Sequence, residues 1–222
     1  MEHKRYNLWT ILTISLLLIF SILLPTVKPI IQQNNIHFVV DAGHGLPDGG
    51  AIGLDGTTEQ LLNFQIAQKL GLLLPKEQTV LARTNEQCLS IVEGTIREKK
   101  ISDMKERVKI AKQYSNALWI SIHMNTYPNS SVYGCQVFYR ADDERSRLIA
   151  QNLQTSINEV LQPENPKQIK VISDSLYLFK NTNNPAILIE CGFITNPNEL
   201  EKLKSDSYQN KLAKLIYDAV VQ

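Results

Sequence analysis

The sequence predicts an α/β domain with a mostly parallel, twisted sheet flanked by helices, preceded by an N-terminal transmembrane helix. Three observations carry this. Short apolar runs, such as Phe38-Val39-Val40 and Ala186-Ile187-Leu188-Ile189, alternate with longer amphipathic stretches, the pattern of strands joined through helices. Ionisable residues follow those runs directly: His44 after the first, His123 after Leu118–Ile122, Glu190 after Ala186–Ile189. In open α/β sheets, reactive groups collect at the carboxyl ends of strands. Finally, residues 8–24 form a seventeen-residue run without a charge.

That run is at the short end of a membrane span, which takes about 20 apolar residues. No small-residue cleavage site follows it, so an uncleaved anchor is expected, with a cleaved signal peptide as the rival. Lys4 and Arg5 keep the N-terminus inside and place residues 30–222 outside the cytoplasmic membrane. The expected organisation is therefore an n-region at 1–7, an anchor at 8–24, a stalk at 25–35 and one domain at 36–222. A chain of 222 residues has room for one full core and hardly two. Its net charge of +1 supplies no field for nucleic acid. Three cysteines, Cys88, Cys135 and Cys191, leave at least one unpaired and read as small buried apolar residues.

Along the domain, Ile36–Val40 is a buried strand. Residues 41–56 hold six glycines, a loop where backbone bends tightly or approaches a ligand. Thr57 and Gln60 have capping-box spacing, opening a helix that ends before Pro75. Thr79–Ala82 is a second strand, and the charged residues 85–101 read as a surface loop. Asp103 is expected to cap a helix reaching Tyr114 and carrying Arg107. Strands follow at Leu118–Ile122, Gln136–Tyr139, near Ile169–Ile172 and at 186–189, with a long helix from Asp142 to Leu161. Asn196-Pro197 suits the cap and first position of a C-terminal helix.

His44 alone would be an ordinary turn histidine, and His123 a satisfied buried one. Glu59 alone would complement a helix N-terminus. Glu190 is harder to dismiss, because an unpaired buried carboxylate is costly. Together they suggest two histidines and one glutamate on a metal, with a second glutamate left to move protons. A hydrolytic zinc site keeps three protein ligands and an open position. The H-E-x-x-H helix of thermolysin-type peptidases is not present, so the ligands are dispersed over the fold.

Several motifs together carry a family resemblance. These are Asp41-Ala42-Gly43-His44-Gly45 with Asp48-Gly49-Gly50-Ala51, then Glu59, Ser121-Ile122-His123-Met124-Asn125, and Glu190-Cys191-Gly192-Phe193-Ile194-Thr195-Asn196. They resemble the zinc-dependent N-acetylmuramoyl-L-alanine amidases, over nearly everything from Ile36 onward. The resemblance implies His44, Glu59 and His123 as Zn²⁺ ligands and Glu190 as the catalytic carboxylate. It places Arg83, Arg107 and Asn125 on the structural or substrate side. Ala42 stands where the family commonly has Pro, and Gln60 where Lys is frequent; neither touches the ligand set. The single span and the Tyr177-Leu178-Phe179-Lys180-Asn181 stretch look like the sporulation branch of endospore formers. That branch strips stem peptides from spore cortex so that muramic-δ-lactam forms, a mark needed for germination.

The implied partners are peptidoglycan, a polysaccharide deacetylase in the same route and, as an open alternative, an accessory activating protein. The implied location is membrane-anchored and extracytoplasmic, between the forespore and mother-cell membranes in the sporulation reading. The alternatives are a general wall amidase of growth and division, a zinc deacetylase or peptidase on the same polymer, or a non-catalytic wall binder.

Overall fold

The computed structural model describes residues 36–221. The expected n-region, anchor and stalk lie outside the described residues. Among the described residues no helix is long and apolar enough to cross a membrane.

The domain is built on one six-stranded sheet. In chain order the strands are β1 (Phe38–Ala42), β2 (Thr79–Leu81), β3 (Leu118–Asn125), β4 (Gln136–Tyr139), β5 (Lys170–Val171) and β6 (Ala186–Phe193). Their spatial order is β2-β1-β3-β6-β4-β5. Every neighbouring pair is parallel except β4 against β6. The mostly parallel α/β sheet is thus as the sequence predicts. The helices are α1 (Glu59–Leu73), α2 (Ile96–Gln113), α3 (Glu144–Val160), α4 (Tyr177–Lys180), α5 (Pro197–Lys204) and α6 (Asp206–Val220).

The central strands read as unbroken apolar runs because both faces are covered. Alternate residues feed two cores. Val40, Ile120, Ile122, Ile187 and Ile189 pack with Leu62 and Ile66 of α1, Leu153 of α3 and Ile216 of α6. Val39, Trp119, Ala186 and Leu188 pack on the other face with Val108 of α2 and Leu178 of α4.

Three local expectations are corrected. Helix α2 starts at Ile96, capped by a Thr95–Glu98 capping box, so Asp103 is an interior residue and not the cap. Its first turns bury no apolar stripe, which is why that stretch reads as a charged loop; the buried residues begin at Ser102. The N-cap of α1 is Thr58, with no side-chain cap bond, so the Thr57/Gln60 box does not form. The glycine loop replaces it: the Glu59 and Gln60 N–H groups donate to the Ala51 and Gly49 carbonyls at 2.8 and 3.0 Å. Lastly, β3 and β6 continue past His123 and Glu190, so these two residues lie inside strands and not beyond their ends.

Candidate metal centre and active site

The chain leaves β1 at Ala42 and turns sharply, with His44 in the left-handed region at φ 62°. A non-glycine residue there needs outside support. Two buried guanidiniums provide it. The Arg107 Nη2 donates to the His44 carbonyl at 2.6 Å and its Nη1 to the Ala42 carbonyl at 3.1 Å. Arg83 Nε also donates to the Ala42 carbonyl at 3.0 Å, and Asn63 Nδ2 to the Gly43 carbonyl at 3.1 Å. Three consecutive carbonyls are clamped, and the His44 side chain is delivered over the sheet. Arg107 is charge-balanced by Asp41 and by Asp103, the latter at 2.9 Å. Trp119 Nε1 and Ser121 Oγ donate to the other Asp41 oxygen.

Glu59, the first residue of α1, is buried beneath the loop. Its Oε2 lies 3.2 Å from His44 Nε2 and its Oε1 lies 3.0 Å from His123 Nδ1. Backbone N–H groups of Ala51 and Met124 donate to the same two oxygens at 2.9 and 3.1 Å. Burial pushes the Glu59 carboxyl up, but the hydrogen bonds and charges of the two imidazoles outweigh it and hold the group far below the usual carboxylate range.

One donor atom each from His44, Glu59 and His123 lie within 4.8 Å of one another. The backbone makes room for this cluster. A Cβ on Gly43 would sit 2.7 Å from His123 Nδ1, and one on Gly50 would sit 2.6 Å from Glu59 Oε2. Two imidazoles and a carboxylate in such a cradle fit a divalent metal ion. His44 is also oriented from behind, its Nδ1 lying 2.9 Å from Asp48 Oδ2. A carboxylate on the far nitrogen of a ligand histidine fixes ring and tautomer. Burial lowers the His44 pKa, but hydrogen bonds to Asp48 and Glu59 raise it further, to about 9.

Glu190 on β6 is the register partner of His123 on β3. Its Oε2 is buried without a hydrogen-bond partner. Burial raises its pKa above the ordinary value, the His123 charge opposes this, and the Glu59 carboxylate adds to the rise. Glu190, His44 and His123 line one cavity, whose lining also includes the apolar side chains of Met104, Leu176, Leu178 and Phe179 and the ring of Tyr177. The arrangement offers a metal cradle, an unpartnered carboxylate beside it and an apolar lining for substrate. It has the parts for metal-assisted hydrolysis.

Of the residues expected on the structural or substrate side, Arg83 and Arg107 are both buried, with donors directed to backbone carbonyls and carboxylates. They build the loop from beneath. Asn125 closes β3, its Oδ1 accepting from the Thr126 N–H at 2.8 Å. Cys135 and Cys191 are buried free thiols, and Cys88 is a half-buried one. Asp48 and Lys100 join the site from outside the expected set. The i,i+4 spacing of His44 and Asp48 is a signal in the sequence for the first; the sequence carries none for Lys100.

Residues 38–222 match the family model described as N-acetylmuramoyl-L-alanine amidase. The chain belongs to this family. Similar proteins include the germination-specific N-acetylmuramoyl-L-alanine amidase of Bacillus subtilis. It is 31% identical over 186 residues, covering 82% of this chain and 77% of that protein. The Bacillus subtilis amidase LytC is 30% identical, over 82% of this chain but only 34% of its own length. Among solved structures, the CwlD amidase from Clostridioides difficile in complex with the GerS lipoprotein is similar. Its TM-score is 0.77 at 35% identity, covering 84% of this chain and 97% of that one. The amidase family supplies the reaction: hydrolysis of the amide between N-acetylmuramic acid and L-alanine in peptidoglycan.

Proposed function

We propose that this amidase works with Zn²⁺ held by His44, Glu59 and His123, with Glu190 as the group that moves protons. The observation that carries this is the placement of the unpartnered Glu190 carboxylate beside the three converging donors. When bound, zinc supplies Lewis-acid polarisation of the scissile carbonyl and lowers the pKa of water towards neutrality. The chain's own groups do the rest. Glu190 takes the proton of the attacking water as its oxygen adds to the lactyl carbonyl carbon. It then delivers that proton to the alanine nitrogen as the C–N bond breaks. The products are a lactyl carboxylate on the sugar and a stem peptide with a free amine. Glu190 Oε2 carries no hydrogen bond that would hold it in one protonation state, so the group can act as base and then as acid. Asp48 holds His44 in its ligand tautomer, and the apolar lining around Tyr177 covers the substrate.

We place the activity in the spore cortex, where removal of whole stem peptides allows muramic-δ-lactam to form. The likeness to the germination-specific Bacillus subtilis amidase and to the Clostridioides difficile CwlD supports this. Lactam closure also needs the muramic nitrogen freed, hence a polysaccharide deacetylase in the same route. The CwlD complex with a lipoprotein supports an accessory protein partner here too. The charge-free residues 8–24 hold the domain at the outer face of a membrane. The likeness to LytC favours the second reading, a general wall amidase, and cortex analysis separates the two.

The test is digestion of purified muropeptides by the zinc-loaded domain, followed by mass analysis. Intact stem peptides beginning with L-alanine, beside lactyl-terminated glycan, are expected. Released acetate or cleaved internal peptide bonds would overturn the amidase assignment. Cortex from a deletion strain should lack the lactam; normal lactam content would reject the sporulation role alone.

A further inference from the structure

The cavity that holds Glu190 and the two histidines also admits Lys100, from the second turn of α2. Its ammonium lies 3.0 Å from Asp48 Oδ2, the same oxygen that lies 2.9 Å from His44 Nδ1. The charge is thereby pinned at most two hydrogen-bond lengths from a metal-cradle imidazole. It is also half exposed and opens onto the cavity, while Asp48 occupies one of its three donors. The other cation lining this cavity, Arg107, is buried and its donors are directed at Asp41, Asp103 and two backbone carbonyls. Every other charged group on the lining that is not a histidine is an acid: Asp41, Asp48, Asp103 and Glu190.

That arrangement matters for the substrate proposed above, on which this inference rests. The residue after L-alanine in a stem peptide is a glutamate joined through its side-chain carboxyl. Its α-carboxyl is therefore either a free carboxylate or, where the wall is amidated, a neutral amide. It lies within two residues of the scissile bond, a reach of ~7 Å along an extended chain. Asp41 and Asp103 are balanced by Arg107, and Asp48 sits between His44 and Lys100, so Lys100 is the cationic side chain on this lining with donors still free to meet such a carboxylate.

We propose that Lys100 is a specificity-determining residue, which pairs with the free α-carboxylate of the second stem-peptide residue. Lys100 thus discriminates acidic from amidated stem peptides. Asp48 holds the ammonium at the rim, so the side chain is pre-positioned rather than recruited. Its neutral replacement removes the discrimination and leaves the metal cradle and Glu190 in place.

The experiment compares two synthetic muramyl peptides that differ only in that group, glutamate against isoglutamine. Both are tested with the zinc-loaded wild type and with Lys100→Met, Lys100→Arg and Lys100→Glu. The readout is the ratio of kcat/KM for the two substrates within each enzyme, which changes in metal content or folding do not alter. The wild type is expected to favour the carboxylate on the order of five-fold, as suits an ion pair at a half-exposed site. K100M should bring the ratio to one, K100R should retain a preference, and K100E should reverse it. Calorimetric affinity for the two released peptides, again taken as a ratio, reads the preference for the carboxylate without turnover. It therefore reads Lys100 even if neither substrate is cleaved, the outcome that would sink the amidase reading instead. A preference in the wild type that persists in K100M, or no preference in the wild type, overturns the inference.

Discussion

His123 and Glu190 face each other across parallel strands β3 and β6, as direct register partners. Register partners on adjacent strands point to the same side of the sheet, so the carboxylate stands beside one arm of the metal cradle by construction. A one-residue slip between β3 and β6 would send one of them to the opposite face. The apolar residues on either side, Ile122 and Ile189, prevent that slip, because both are fully buried in one core.

Glu190→Gln keeps the volume and removes the carboxylate. Metal content should remain as in wild type while amide hydrolysis falls by at least ~10²-fold. Turnover near wild type, measured by release of L-alanine-terminated peptide, would assign the proton-moving role to another residue.

Gly43→Ala tests the cradle. The added methyl would lie 2.7 Å from His123 Nδ1 and must displace the imidazole. The domain should fold, as judged by far-ultraviolet circular dichroism, yet bind zinc far more weakly. Zinc occupancy equal to wild type would show that His123 is not held where its ring now lies.

Metal binding should depend on pH through His44. Its folded pKa of about 9 exceeds the ordinary 6.5, so the protonated form stabilises the metal-free protein. That contribution is complete below 6.5 and is lost as pH rises through about 9. A metal needs the neutral ring, so zinc affinity should fall by about tenfold per pH unit as pH drops from 9 towards 6.5. At pH 7, calorimetry in buffers of different ionisation enthalpy should record about one proton released per zinc. Zero release would mean His44 is already neutral.

Glu190 carries a prediction for the metal-free protein. Burial raises its pKa, so its carboxyl should take up a proton, as pH falls, at a higher pH than an ordinary glutamate does. Difference infrared spectra of wild type against Glu190→Gln read that step; a carboxyl titrating in the ordinary range would overturn it.

Arg107→Ala removes the clamp under the loop and strands two buried carboxylates, Asp41 and Asp103. Breaking a buried pair from one side costs about 3–5 kcal/mol, to be read from denaturant midpoints. The zinc site should weaken too, because His44 loses the bond that holds its backbone at φ 62°.

Read alone, the residues place the chain in the α/β class and name the four residues proposed for the site. The class and three of those residues, His44, His123 and Glu190, are written in local signals, apolar runs of strand length with ionisable residues beside them; Glu59 opens a helix and is named by the family resemblance. The residues alone misplace the start of α2, since a solvent-facing first half carries no apolar stripe and resembles a loop. The tertiary structure alone decided how the four residues meet. The contacts that do it span Glu59 to His123, Arg107 to His44 and Asp41 to Ser121, each more than sixty residues apart along the chain. It also showed that Arg83 and Arg107 act from beneath the loop, and that Asp48 ties Lys100 to His44. Periodicity reports which face a residue takes within its own element. Which face it meets depends on strand order and register, and those follow from burying both cores at once.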